Sequence, residues 1–311
     1  MSQTPTGATD PRDDVAVDAA TARARGPATS SRQSLRLNAS MIIGTCFVTL
    51  IVGLALVSFI WTPYAPSEID PVARLQSASL AHPFGTDKFG RDTLTWVMFG
   101  ARITLLVGVV AVGIALLIGT PIGIIAALFA KQSWGIWIDA VIMRANDILL
   151  AFPALLLAII FAAVFSPGTG PAMIAVGIAA IPGFARVARS GTLQVLGSEY
   201  VRAARASNRR VSAIAVVHVL PNIAGMVIVQ ASVAFAISVL AEAGLSFLGL
   251  GTQAPVPSWG RMLQESQQFL STHPELALWP GMFIALAVLG FNLLGDGLRD
   301  RFDPKMEARR G

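Results

Sequence analysis

Residues able to do chemistry are few and scattered in this chain. His82, His218 and His273 lie far apart in sequence, so neither a zinc site nor a hydrolase triad built from them is expected. The single Cys46 sits inside an apolar run, which excludes an intrachain disulfide and suits a thiol that fills space. None of the lysines, Lys88, Lys131 and Lys305, follows a glycine, so the G-x-x-x-x-G-K-[ST] phosphate loop is absent. No set of residues looks catalytic. Any ATP used on behalf of this chain must be hydrolysed by another.

Three charged constellations remain. The first is Ser198–Pro221, where Arg202, Arg205, Arg209 and Arg210 crowd between apolar runs. The second is Asp87, Arg91 and Asp92, which could be mistaken for a metal loop but more readily structures the segment before the next apolar run or touches a partner. The third is Glu242, an acid deep within an apolar stretch. An acid at the centre of a membrane helix costs roughly 2.5–3.5 kcal/mol, and such acids usually face the bundle interior. Two roles for Glu242 stay open: a place near the outer gate of a translocation path, or a helix-end carboxylate capped by local polar groups. Arg144 and Asp147, three residues apart, are able to pair on one helical face.

The elements that must position these groups are membrane helices. The composition is 54% hydrophobic and only 13% charged, against about 25% charged in ordinary soluble domains. Residues 1–37 are polar, mixed in charge and free of aromatic side chains, and read as a disordered tail. Their acids Asp10, Asp13 and Asp14 are wrong for a signal peptide. Apolar runs then predict six spans: Met41–Trp61, Ile103–Ala130, Ile136–Phe165, about Ala172–Val187, Asn222–Leu248 and Leu276–Gly295. The first is charge-free and about 20 residues long, enough for a hydrocarbon core of about 30 Å. Pro153, Pro182 and Gly183 are kink candidates whose freed backbone groups need neighbours or water. Of the 23 basic residues, all but Arg74, Lys88, Arg91, Arg102 and Arg261 fall on one side if the spans alternate. The positive-inside rule puts that side in the cytoplasm, with both termini and Ser198–Pro221. The divisions are a tail (1–37), a first span with an external segment (38–101), a core (102–298) and a C-terminal tail (299–311).

Within Ser198–Pro221 the residues predict a compact helix–turn–helix. Gly197 breaks the preceding element, Ser198 is placed to cap, and Glu199 in the first turn favours the positive end of the helix dipole. Tyr200, Ala203, Ala204 and Ser207 share one face, and Arg202, Arg205 and Arg209 another. Asn208 suits a left-handed turn ending the first helix, and a second short helix from about Ser212 runs toward Pro221. Anionic lipid headgroups, a docked protein, and simple fixing of topology are all consistent with the arginines.

RAARASN, nine further residues and HVLP resemble the cytoplasmic "EAA" loop of permease subunits of binding-protein-dependent ABC importers. Arg202, Ala203 and Ala204 stand in the EAA positions, with Leu220 and Pro221 in the LP positions. Arginine in place of glutamate is usual in the peptide-importer branch; Asn208 in place of glycine is less common, though asparagine tolerates positive φ. HPFGTDKFGRD (82–92), MRANDILLAFP (143–153) and AEAGLSFLGLG (241–251) resemble, in order and spacing, the C-type subunit of dipeptide, oligopeptide and nickel permeases. The resemblance implies an all-α type I importer permease of the bacterial inner membrane, with no cofactor or metal of its own. Glu199, Tyr200, Arg202, Ala203, Ala204, Arg205, Asn208, Leu220 and Pro221 would couple it to two cytoplasmic ATPase subunits that bind ATP and Mg²⁺. It also implies a second homologous permease subunit and an extracytoplasmic substrate-binding protein, and no nucleic acid. Peptide, nickel and related cargoes share this pattern. An ATP-independent secondary transporter or channel is the competing class; few ionisable residues lie in the spans and no repeat relates the halves.

Overall fold

The computed structural model describes residues 39–130 and 134–302, and every regular element among them is helical. Lys131, the expected tail over 1–37 and residues 303–311 lie outside the described residues. The helices in chain order are α1 (Ala39–Ile60), α2 (Thr93–Phe129), α3 (Gly135–Ala151), α4 (Ala154–Phe165), α5 (Thr169–Leu196), α6 (Glu199–Ala206), α7 (Val211–Phe247), α8 (Trp259–Ser266) and α9 (Glu275–Phe302). Five of them, α1, α2, α5, α7 and α9, are long and apolar enough to cross a membrane; α3 and α4 add a sixth crossing if the bent pair is one span.

Besides α9, which runs on to Phe302 past the expected end at Gly295 and into the expected tail, four boundaries differ from the sequence expectation. The span expected over Ile136–Phe165 is two helices bent by 82°. Pro153 has no N–H to donate and disfavours helical geometry at Phe152, and both residues adopt ψ near extended values, 122° and 130°. The expected Arg144–Asp147 pair does not form among the described residues. Asp147 instead accepts from Arg186 at 2.6 Å, and Asp139 takes Arg189 through both oxygens at 2.6 Å. Those pairs tie α3 to α5 and let α5 continue past Val187 to Leu196. At the other end of the bundle, α2 starts at Thr93, well before Ile103, because Asp92 caps it: Oδ2 accepts from the Thr95 amide at 2.7 Å.

The fourth difference is in α7. The separate short helix expected before Pro221 is continuous with the fifth span, through a wide turn of π-helix at Ile214–Val219. Proline inside an α-helix removes a hydrogen bond and strikes the carbonyl four residues back. The widened turn relieves that conflict, and Asn222 Nδ2 donates to the His218 carbonyl at 2.6 Å, using an acceptor there.

Small residues set how closely the helices approach. On α2, a side chain at Gly119 or Gly123 would come within 2.6 Å of the Ile181 carbonyl or 2.2 Å of the Ala185 carbonyl on α5. This is the small-xxx-small spacing that lets membrane helices pack backbone to backbone. One core cluster joins α2, α5, α6 and α7 around Phe184, Val201, Ile214, Val219 and Ile223. Another joins α1, α2, α7, α8 and α9 around Ile51, Val97, Val239, Trp259 and Ala287.

Candidate functional site

The arginine-rich segment becomes a short helix fixed at one point. Among its residues only Val201 is buried, and it is wholly so, in the cluster where Leu128, Phe184, Leu196, Ile214 and Val219 converge. Ser198 stands at the N-cap with extended backbone, but its hydroxyl donates back to the Val195 carbonyl at 2.6 Å rather than capping α6. Glu199 lies in the first turn, 3.7 Å from Arg202. The C-terminal end follows the expectation: Asn208 has φ 56°. The Asn208 amide reaches the Arg205 carbonyl at 3.0 Å and the Arg209 amide the Ala204 carbonyl at 3.2 Å. That pair of bonds is the Schellman motif, which needs a residue able to adopt the left-handed conformation.

The faces of α6 differ in part from the expected division. Ala204 is half-buried beside Val201, while Tyr200, Ala203 and Ser207 are exposed alongside Arg202, Arg205 and Arg209. The surface offered outward is thus a small alanine–serine patch ringed by arginines and one tyrosine. Tyr200 leans toward His218 on α7, ring centroids 6.0 Å apart. Leu220 and Pro221 are exposed at the first turn after the π segment. Val201, the anchor, was not singled out by sequence; its signal is a lone β-branched residue in an otherwise polar helix.

At the opposite end of the bundle the charges are turned inward. Asp87 closes a loop by accepting from the amides of Phe89 at 2.7 Å and Arg91 at 3.0 Å, and its carboxylate pairs with the Arg91 side chain. Arg91 is 8% exposed, lies 3.6 Å over the Trp96 ring and reaches Glu265 on α8 at 2.8 Å. Arg261 holds the other oxygen of Glu265 at 2.8 Å. Asp92, besides capping α2, accepts or shares a proton with His82 Nδ1 at 3.0 Å, and His82 stacks on Tyr64 at 4.7 Å. The acid–base groups here are consumed in fastening the segment after α1 to α2 and α8. Glu265, far along the chain, carried no local signal.

Glu242 is 1% exposed near the C-terminal end of α7. Its Oε1 accepts from Ser246 Oγ at 2.7 Å and Thr252 Oγ1 at 3.1 Å, while Oε2 has no partner among the described residues. This is the geometry of a carboxylate capped by local polar groups. Ser246, Thr252 and Thr169 were not anticipated around it.

Comparison with known proteins sets this geometry in a family. Residues 119–308 match the family described as binding-protein-dependent transport system inner membrane component. A dipeptide transport system permease protein from Alkalihalophilus pseudofirmus is 43% identical, with 89% of each chain covered. A glutathione transport system permease protein from Pectobacterium atrosepticum is 37% identical over 89% of this chain and 90% of its own. Among solved structures, an inward-facing MetNI methionine ABC transporter superposes with a TM-score of 0.56 at 16% identity, covering 67% of this chain and 96% of the other; that likeness concerns the fold. The chain therefore belongs to the family of binding-protein-dependent transport system inner membrane components, as a type I ABC importer permease subunit.

Proposed function

We propose that this chain is one of two homologous permease subunits of an ATP-driven importer that moves di- or oligopeptides across the bacterial cytoplasmic membrane. In this assignment the bent α3–α4 pair is one span, giving six, and the basic α6 end with both termini faces the cytoplasm. Helix α6 seats in a partner ATPase through Ala203, Tyr200, Ser207 and the surrounding arginines. Two such ATPases bind and hydrolyse ATP with Mg²⁺, and an extracytoplasmic binding protein delivers solute to the α8 end.

One observation carries this assignment. Helix α6 is held by one buried side chain, Val201, with Ala204 half-buried beside it, and by a left-handed cap, yet leaves its other side chains exposed. A basic loop serving lipid headgroups alone has no need of a small alanine–serine patch or of a fixed angle to α7. Docking into another protein's groove needs both. Peptide as cargo is supported by the relatives named for dipeptide and glutathione transport.

The test is uptake of labelled dipeptide, oligopeptide, glutathione and nickel in a strain lacking the chain, with and without its restoration. Peptide uptake restored by wild type and abolished by Ala203→Trp, together with loss of the co-purifying ATPase, is expected. Nickel uptake alone would replace the cargo but keep the importer. Transport that persists with no ATPase bound would instead favour a secondary transporter.

A further inference from the structure

The hydrogen bonds around Glu242 run in one direction. Thr169 Oγ1, at the first residue of α5, donates to Thr252 Oγ1 at 3.1 Å. Thr252 Oγ1 donates to Glu242 Oε1 at 3.1 Å, and the Thr252 amide donates at 2.8 Å to Ser246 Oγ, which donates to the same Glu242 oxygen at 2.7 Å. Each hydroxyl spends its one proton toward the carboxylate, the acceptor at the end of both chains. Glu242, Ser246 and Thr252 are 1%, 0% and 2% exposed, so these bonds form away from solvent, where an unmade bond is costly.

The end of α7 and the loop 248–258 meet at that single oxygen, and the start of α5 joins them through Thr252. The loop leads directly into α8, whose Gly260 lies against the backbone of Ala243 on α7. Helix α8 in turn holds the segment before α2 through Glu265 to Arg91, and α2 itself through Trp259 Nε1, which donates to the Val97 carbonyl at 2.9 Å. The other end of α7 begins a few residues after the Asn208 cap of α6. A helix running from Val211 to Phe247 rises about 55 Å at 1.5 Å per residue. One continuous element thus spans from the α6 cap to Glu242.

We propose that Glu242 is a positioning residue for transport, a clasp that makes the start of α5 and the loop 248–258 follow the end of α7. It acts without touching solute. The clasp deepens the importer assignment and rests on it for the origin of the movement.

Isosteric removal of the hydroxyls tests the clasp while leaving the carboxylate in place. In the reconstituted complex with its partner permease, ATPases and binding protein, Thr252→Val is expected to lower labelled-dipeptide uptake per ATP hydrolysed by about tenfold, the scale of two lost hydrogen bonds, since Thr252 Oγ1 both accepts from Thr169 and donates to Glu242. Thr169→Val, one bond further out, is expected to lower it by about threefold. The ATPase rate per assembled complex should hold or rise. Glu242→Gln keeps a carbonyl acceptor and should retain more coupling than Glu242→Ala. Backbone hydrogen exchange over 248–258 and the first turn of α5 should rise together in Thr252→Val. This readout is independent of transport, so it judges the clasp even where the wild-type complex imports no peptide, an outcome that would instead count against the cargo. Unchanged exchange and unchanged uptake per ATP would overturn the clasp. So would uptake and ATPase falling in step with the amount of complex, the mark of a purely structural role.

Discussion

The two ends of the helical bundle handle charge in opposite ways. At the α8 end, Arg91, Asp92, Glu242 and Thr252 are buried or nearly so, and Asp87, Arg91, Arg261 and Glu265 form one connected network. At the α6 end, Arg202, Arg205, Arg209 and Arg210 are exposed, and among the described residues Arg205, Arg209 and Arg210 have no acid within ion-pair distance. The Arg186–Asp147 pair is half-exposed as well, at 48% and 51%. A closed network resists local deformation, because breaking any one bond leaves a buried group unpaired. An open, rigidly mounted surface has bonding capacity left for a partner. The contrast is the one the proposed importer requires, an open docking surface at one end and a closed network at the other.

Breaking the closed end should have the largest effect. Arg91→Met removes the cation between Asp87 and Glu265 and leaves carboxylates partly buried, so a loss of about 3–5 kcal/mol of stability is expected. Thermal unfolding of the detergent-solubilised chain measures it. Arg261 still holds Glu265, so Asp87 is the acid left without its cation, and a double variant Arg91→Met with Asp87→Asn, which keeps the acceptor for the Phe89 and Arg91 amides, should recover part of the loss. No recovery would show that the cation's stacking on Trp96 dominates instead.

A smaller effect tests the mounting of the open end. Asn208→Gly keeps access to φ 56° and should preserve both α6 and coupling. Asn208→Val places a β-branched residue in the left-handed region at a cost of about 1–2 kcal/mol, local to α6. Uptake should fall while the midpoint of unfolding moves little. Equal tolerance of glycine and valine would show that the angle of α6 is not set by this turn.

These two positions also mark what was legible in sequence. Asn208 was legible because a cap is a local event: the residue type, its place after a helical pattern and the φ it must adopt lie within a few residues. The long apolar runs were legible for the same reason. Arg91 was noticed, but its partner was not, since Glu265 is 174 positions away and nothing in either neighbourhood encodes the meeting. Glu242 was likewise visible as an anomaly; of the hydroxyls around it only Ser246 lies on the same helix, while Thr252 comes from a loop and Thr169, which bonds Thr252, from α5. Between these cases lies the α3–α4 break. Pro153 announced a kink but not its 82° size, nor that α3 is held to α5 by Asp139 and Asp147, acids whose pairing with Arg189 and Arg186 sequence spacing could not foresee.

Those two ion pairs give the finest test of the comparison, because they sit on one pair of helices with different exposure. Asp139–Arg189 is bidentate, with side chains 15% and 31% exposed; Asp147–Arg186 is a single contact between half-exposed groups. An exposed pair in water contributes about 0–1 kcal/mol and is screened by salt, whereas a fork-to-fork arginine–carboxylate pair partly shielded from solvent is held by geometry as well as charge. Arg186→Gln should therefore shift unfolding by about 1 kcal/mol or less at low salt, and by nothing measurable at high salt. Arg189→Gln should cost more at both ionic strengths, since it strands Asp139 with neither oxygen satisfied. If the two variants respond to salt alike, exposure is not what separates them, and the α6 end is less open to solvent than its side chains indicate.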